Sequence, residues 1–261
     1  MNPMFQRLCL LVGQEVLNAL SHTRVLVFGA GGVGSWAAEA LVRCGIGRIG
    51  IVDSDAVCIT NINRQAQALF ENVGKPKVVA LKERLLSINP SCMVDAFEAV
   101  FSKESVPLFR MESADYIIDA IDSLSFKLDL IETSFQFRIP LFSSMGMAQK
   151  LDPTQLQVAD IWDTYGCPLA RLVRQGLRKR GFDERFMTVF SPERLPRRVE
   201  MSAVPCGNAR CFCSVKNEMD WCASKKIING SAVTVTASAG LILASLVMNA
   251  IVHHEKLYLR K

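Results

Sequence analysis

Residues 24–55 read RVLVFGAGGVGSWAAEALVRCGIGRIGIVDSD, and this stretch decides the fold. Arg24 to Phe28 is a short β-branched run, which predicts a buried strand. Gly29, Gly31 and Gly34 then give G-x-G-x-x-G, with Gly32 filling one of the gaps. Val33 to Cys44 carries apolar residues at helical spacing, and Arg48 to Val52 is a second strand closed by Asp53. Strand, glycine turn, helix, strand and acid, in that order, form the first half of a nucleotide-binding sheet. Glycines there permit a tight turn and let backbone N–H groups approach a phosphate at a helix N-terminus. Asp53 closes the next strand, where a carboxylate can accept hydrogen bonds from ribose hydroxyls.

The same alternation continues outward. Met1 to His22 is an apolar-rich arm, predicted helical from Gly13 to Leu20. Ala56 to Gln67 (AVCITNINRQAQ) is a polar loop rich in Asn. Val73 to Ile88 reads as an amphipathic helix that Asn89-Pro90 stops. Strands are predicted at Met93 to Ala99, Ala114 to Ala120 and Pro140 to Ser143, with a helix at Leu124 to Phe137. This alternation means a mainly parallel sheet with right-handed crossovers. Ligands sit outside the strands' carboxyl ends, where Gly29, Asp53 and Asp122 all fall.

From Met147 the pattern changes. Gln155 to Asp160 alternates like an antiparallel strand. Pro168 to Arg180 is an amphipathic helix, with Leu169, Leu172, Val173 and Leu177 on one face and Arg171, Arg174 and Arg178 on another. Residues 181–225 read as loop-rich. The expected fold class is α/β: a Rossmann-like, doubly wound, mainly parallel sheet extended by antiparallel strands, with helices on both faces. It is read as a single domain over residues 1–261: an arm (1–22), a nucleotide-binding half (23–145) and a basic substrate half with a C-terminal helix (146–261).

Composition narrows the class. Half of the 261 residues are hydrophobic, enough for a substantial core. No charged-then-apolar leader opens the chain, and nine cysteines in an ordinary α/β composition predict reduced thiols in a cytoplasmic protein. Ile227 to Val252 is free of charge but carries Asn229, Thr234, Thr236 and Asn249, which predicts a buried turn and core helix rather than a membrane span. Between Arg171 and Arg198 nine Lys or Arg face three acids, a local +6 in a chain whose total is +5. One surface therefore carries the basic excess and suits a polyanion.

A hydride-transferring enzyme would explain the glycines and Asp53, but not Asn61, Arg64, Lys75 and Lys77, which follow shortly after. Arg and Lys there can hold the outer phosphates of a triphosphate, and Asp122, at the next strand end, can hold Mg2+ on them. The segments GAGGVGS, IVDSD, TNINRQ, VGKPK and DAIDS occur in this order and resemble the ubiquitin-activating-enzyme-like (ThiF/MoeB-type) adenylyltransferases over roughly Leu20 to Ser144. The resemblance implies that ATP adenylates a carboxylate and releases pyrophosphate. It implies Gly29, Gly31, Gly32 and Gly34 at the nucleotide, Asp53 on ribose with Asp55 beside it, Asn61, Arg64 and Lys77 on phosphates, and Asp122 at magnesium.

A subgroup of that family matches further, to roughly Ser245. GGVGSWAAEALVRCGIG, LDPTQLQVAD, DTYGCPLARLVRQGLRKRG and MDWCAS (the last with Trp221 as one extra residue) resemble the members that dehydrate threonylcarbamoyladenosine in the tRNA anticodon loop. This implies that the adenylated carboxylate is the threonyl group's and that loss of AMP closes a ring. It also implies tRNA as partner, a homodimer and a sulfur-relay protein as a further partner. Arg171, Arg174, Arg178 and Arg180 are then the expected tRNA phosphate contacts. Cys222 matches the family's cysteine and is the expected reactive thiol, although His22, His253 and His254 all lie far from it in sequence.

Two departures stand out. The paired C-x-x-C zinc motifs of sulfur-carrier adenylyltransferases are absent, and Cys206, Cys211, Cys213 and Cys222 match no zinc or iron–sulfur spacing. Leu10 stands where the family's arm has an arginine, with Arg7 three residues early. Two other readings remain open at this level: an adenylyltransferase for a ubiquitin-like sulfur carrier, and a catalytically silent nucleotide-binding module that docks a partner.

Overall fold

The computed structural model describes residues 2–194 and 229–253. Its strands are β1 (Arg24–Phe28), β2 (Arg48–Val52), β3 (Met93–Phe97), β4 (Tyr116–Asp119), β5 (Leu141–Ser144), β6 (Gln157–Asp160) and β7 (Met187–Phe190). They form one seven-stranded sheet in the order β3-β2-β1-β4-β5-β7-β6. All neighbours run parallel except β6, which is antiparallel to β7. The helices are α1 (Gln6–Val12), α2 (Gln14–His22), α3 (Gly34–Arg43), α4 (Lys77–Ile88), α5 (Val106–Phe109), α6 (Leu124–Gln136), α7 (Pro168–Lys179) and α8 (Val233–Val252).

The pleat of β1 divides the core. Val25 and Val27 face one side with Leu41 of α3 and Leu243 of α8. Leu26 and Phe28 face the other with Ile131 of α6 and Leu177 of α7. Both faces are covered, so Val25 to Phe28 are fully buried, as a continuous apolar run in a parallel sheet requires. Each such fully buried Leu or Phe contributes about 1.5–3 kcal/mol of transfer free energy. Phe28 meets Phe101 and Phe109 edge-on, with centroids 5.2 and 5.4 Å away.

By length and composition α8 could cross a bilayer, but half of its most apolar window is buried in the protein. It lies so close to α3 that a Cβ on Gly240 would sit 2.4 Å from the Val33 carbonyl oxygen. That fixes α8, whose first turns reach the glycine turn after β1, against the sheet.

Several elements differ from the sequence-based expectation. The arm is two helices, because Gly13 adopts φ +85° and breaks the run. The helix expected from Val73 begins only at Lys77, since Pro76 takes an extended ψ of 133° and Gly74 has φ +89°. β7 lies in a stretch read as loop; its four residues, MTVF, pair parallel with β5 and carry β6 at the edge. Leu172, expected on the buried face of α7, is 42% exposed, and Ala170, Val173 and Leu177 form that face instead.

Candidate functional site

Strand order reverses beside β1, whose two neighbours are β2 and β4. At such a switch point the loops leaving adjacent strands diverge and open a crevice. A cleft of about 860 Å3 lies there, lined by the glycine turn after β1, Asp53 after β2, Asp122 after β4 and Ser144 to Ala148 after β5.

The glycine turn is forced by contact. Gly29 has φ +95°, and a Cβ on it would lie 2.6 Å from the Ala120 carbonyl oxygen. A Cβ on Gly34 would lie 1.8 Å from the Gly29 carbonyl oxygen, so the first turn of α3 folds back onto the end of β1. Gly31 differs: it lines the cleft, and a Cβ there would meet nothing within 4 Å. Its missing side chain leaves open space beside the N-terminus of α3, which suits a phosphate oxygen.

The acids are bound into the frame. Asp53 accepts from Ala30 N–H at 2.7 Å and from Asp55 N–H at 2.9 Å, tying the end of β2 to the glycine turn. Lys77 is the first residue of α4, and its ammonium donates to Asp55 Oδ2 at 2.6 Å and lies 3.7 Å from Asp53 Oδ1. The delayed start of α4 makes this possible. The residue before a proline is held extended, so Lys75 and Pro76 bring the chain back beside Ala56 before the helix begins. Burial pulls the Lys77 ammonium down, but the carboxylates of Asp53, Asp55 and Asp122 overcome it and hold its pKa above the usual lysine value. Burial pushes the Asp53 carboxyl up; Lys77 opposes the shift without cancelling it.

The Asn-rich loop is ordered around its own side chains. Asn61 Oδ1 accepts from Cys58 N–H at 3.0 Å, closing a short turn. Arg64 donates to the Thr60 carbonyl at 2.8 Å and to Asn63 Oδ1 at 2.9 Å, while Trp36 of α3 donates to the Arg64 carbonyl at 3.0 Å. Asn61 and Arg64 both line the cleft. Burial lowers the Arg64 pKa, and the Asp122 carboxylate opposes that shift. Gly29, Gly31, Gly32, Asp53, Asp55, Asn61, Arg64, Lys77 and Asp122 therefore meet in one cleft, and Gly34 sits directly beneath them.

Three features in and below the cleft carry little signal in the sequence. The 144–148 segment forms the far wall, and Asn229, Ser231 and Thr236 close the side next to α8. Asn63 Nδ2 donates to the Ser231 carbonyl at 2.9 Å, joining the Asn-rich loop to that side. Lys127, one turn into α6, is fully buried against Asp119 below the cleft. A lone Lys among Leu128, Leu130 and Ile131, eight residues after a strand-end Asp, was the available signal.

The α7 arginines lie outside the cleft lining, although Leu169 of the same helix forms part of it. They do not behave alike. Arg171 is exposed. Arg178 is exposed with its guanidinium 5.3 Å from the Trp162 ring centre. Arg174 turns inward and donates to Thr164 Oγ1 and the Ile161 carbonyl. Arg180 reaches Asp129 at 2.7 Å and Glu132 at 2.8 Å on α6. Cys206, Cys211, Cys213 and Cys222 lie outside the described residues.

Acids, cations and an open glycine turn thus meet at a sheet switch point, an arrangement that can take a nucleoside triphosphate. The tRNA threonylcarbamoyladenosine dehydratase of Bacillus subtilis is 47% identical over 189 residues, 72% of this chain and 74% of that one. The protein of the same name from Haemophilus influenzae is 35% identical over 237 residues, 90% and 88% of the two chains. The structure of the Escherichia coli dehydratase, TcdA, in complex with ATP superimposes with a TM-score of 0.79 at 33% identity, covering 96% of this chain and 94% of that one. The model of the ThiF family matches residues 5–261, which takes in the glycine turn, every cleft residue above and α8, and the chain belongs to that family.

Proposed function

We propose that this protein is an ATP-dependent dehydratase of threonylcarbamoyladenosine in tRNA. The observation that carries the reading is the convergence of Asp53, Lys77, Arg64 and Asp122 at the switch point, in a chain similar to dehydratases of that name. Asp53 accepts the ribose hydroxyls. Backbone N–H groups of the glycine turn and the first turn of α3 take phosphate oxygens. Lys77 and Arg64 neutralise charge that builds up on the transferring phosphate and the leaving pyrophosphate.

Asp122 fits a role at Mg2+. Among the described residues no group of three His, Cys, Asp or Glu side chains is placed to hold a metal ion by itself, so an ion beside Asp122 would draw other ligands from phosphates and water, as Mg2+ does. When bound there, the ion supplies further charge neutralisation on the phosphates.

The chemistry follows from the poor reactivity of a carboxylate, whose leaving group would be oxide. The threonyl carboxylate oxygen bonds to the α-phosphorus, and the bond to the β-phosphate oxygen breaks, releasing pyrophosphate. The tethered ureido group then attacks the activated carbonyl through oxygen or nitrogen. It loses its proton, and AMP departs with the acyl C–O bonding pair, so the nucleoside is lighter by one water. Tethering supplies an effective concentration of roughly 10⁵ M or more, so no protein nucleophile is needed. The outward Arg171 and Arg178 supply phosphate contacts for the tRNA. Leu10 and Leu11 of α1, 84% and 80% exposed, support the homodimer of this reading.

The test is to incubate the enzyme with ATP and threonylcarbamoyladenosine-containing tRNA, digest the tRNA and weigh the nucleoside. Loss of one water with formation of AMP and pyrophosphate is expected. An unchanged nucleoside mass would overturn the reading. ATP-dependent transfer of AMP to a carrier protein's C-terminus, with release of pyrophosphate and no change in the tRNA, would favour the sulfur-carrier activity.

A further inference from the structure

Below the cleft lies a polar group that no step above uses. Asp119, the last residue of β4, and Lys127 of α6 form an ion pair at 2.6 Å with both side chains fully buried. Lys127 Nζ also lies 3.4 Å from Ser143 Oγ and donates to the Ser144 carbonyl at 3.0 Å. Ser143 Oγ donates to Asp119 Oδ2 at 2.6 Å, and Asp119 Oδ1 accepts from Ile121 N–H at 3.1 Å. The ammonium and the carboxylate are thus satisfied within the knot.

A buried ion pair is a poor device for stability alone, because a well-packed apolar pair of similar volume often serves as well or better. What sets this pair apart is where its hydrogen bonds go. Through Ile121 it holds the residue before Asp122, on one wall of the cleft. Through Ser143 and Ser144 it holds the start of the 144–148 segment, on the opposite wall. Ala120, between the two anchored positions, is also fixed, because its N–H donates to the Phe28 carbonyl at 2.8 Å and its own carbonyl abuts Gly29. Neither Asp119 nor Lys127 lines the cleft.

We propose that Asp119, Lys127 and Ser143 are positioning residues that set Asp122 against the opposite wall for the adenylation step. The proposal rests on the adenylation reading and deepens it. The knot acts through Asp122, so its effect should fall on the rate of the chemical step and not on nucleotide binding. It should also vanish when Asp122 is already disabled.

The experiment is a double-mutant cycle. Asp119→Asn/Lys127→Met removes both charges while keeping an acceptor for Ile121 N–H. That variant, Asp122→Asn and their combination are assayed for AMP formation with ATP and threonylcarbamoyladenosine-containing tRNA, and for equilibrium ATP binding. The expected result is a kcat lowered on the order of 10²-fold, as for a displacement of about 1 Å, with ATP affinity held within about threefold. The combined variant should be no worse than the poorer parent by more than about threefold. Effects that multiply, or a wild-type kcat in the folded first variant, would overturn the proposal. If that variant melts below the assay temperature, Ser143→Ala, which leaves the ion pair whole, takes its place in the same cycle under the same criteria. A wild-type enzyme that forms no AMP would overturn the adenylation reading and this proposal with it.

Discussion

The cations of the cleft and the cations of α7 look equally free in the sequence, and the structure treats them differently. Arg64 and Lys77 come from a loop and a helix start, yet each is engaged by hydrogen bonds beside the cleft. The α7 arginines share one helix and split into two kinds. Arg174 and Arg180 are engaged by hydrogen bonds or carboxylates within the fold, whereas Arg171 is exposed and Arg178 is exposed with its guanidinium over the Trp162 ring. A local charge of +6 therefore overstates what is left for a polyanion. A cation facing carboxylates braces the fold, and one facing water is available for steering and counterion release.

The contrast breaks most sharply at Lys77. Lys77→Met should slow AMP formation by roughly 10²-fold or more, as for loss of a central electrostatic stabiliser. Steady-state assay of AMP checks it, and near-wild-type turnover would remove Lys77 from the site. The same variant tests the ion pairing. The folded pKa of Lys77 is raised, so its stabilising contribution is fully present below the unfolded value of about 10.4 and is lost as pH rises through the folded value. The gap in thermal midpoint between wild type and variant should be open at pH 8 and close above that value. Calorimetry across the range reads it.

On α7 the expected effects are smaller and of two kinds. Arg171→Ala/Arg178→Ala should weaken tRNA binding and reduce the slope of log affinity against log salt by about 0.7–0.9 per contact, with ATP binding unchanged. Binding titrations at several salt concentrations measure it, and an unaltered slope would move the tRNA surface off this helix. Arg180→Ala should leave the slope alone and lower stability by about 0.2–1 kcal/mol for each partly exposed pair it breaks. Denaturant unfolding reads that loss. Smallest of all, Cys222→Ala should keep cyclisation within about threefold of wild type, because a tethered ureido group needs no protein nucleophile. Loss of the cyclic nucleoside with adenylation intact would show a thioester intermediate instead.

The sequence was most informative where one stretch carries a whole unit. Residues 24–55 specify β1, the glycine turn, α3 and β2 through local periodicity alone. It was least informative where meaning depends on a distant partner. Asp129 and Glu132 lie 51 and 48 residues from Arg180, so nothing near the arginine announces that it is engaged. Lys127 reads as a solvated helix charge until β4 and β5 close over it. β7 is hard to read because four apolar or β-branched residues between charged stretches carry little periodic signal. The start of α4 was legible in Gly74 and Pro76 had their backbone demands outweighed the amphipathic pattern that follows.

The placement of β7 between β5 and β6 has a consequence for biosynthesis. β5 leaves the ribosome well before its outer neighbour, which follows roughly forty residues later, a few seconds at about 5–20 residues per second. Until then β5 is an open edge, and β6, made in the interval, has no native strand to join. An unpaired edge of this kind is a template for pairing with another chain. The nascent protein therefore carries an open β5 edge and an unpaired β6 between completion of β5 and arrival of β7, an interval in which a chaperone that covers strand edges has a strand to bind.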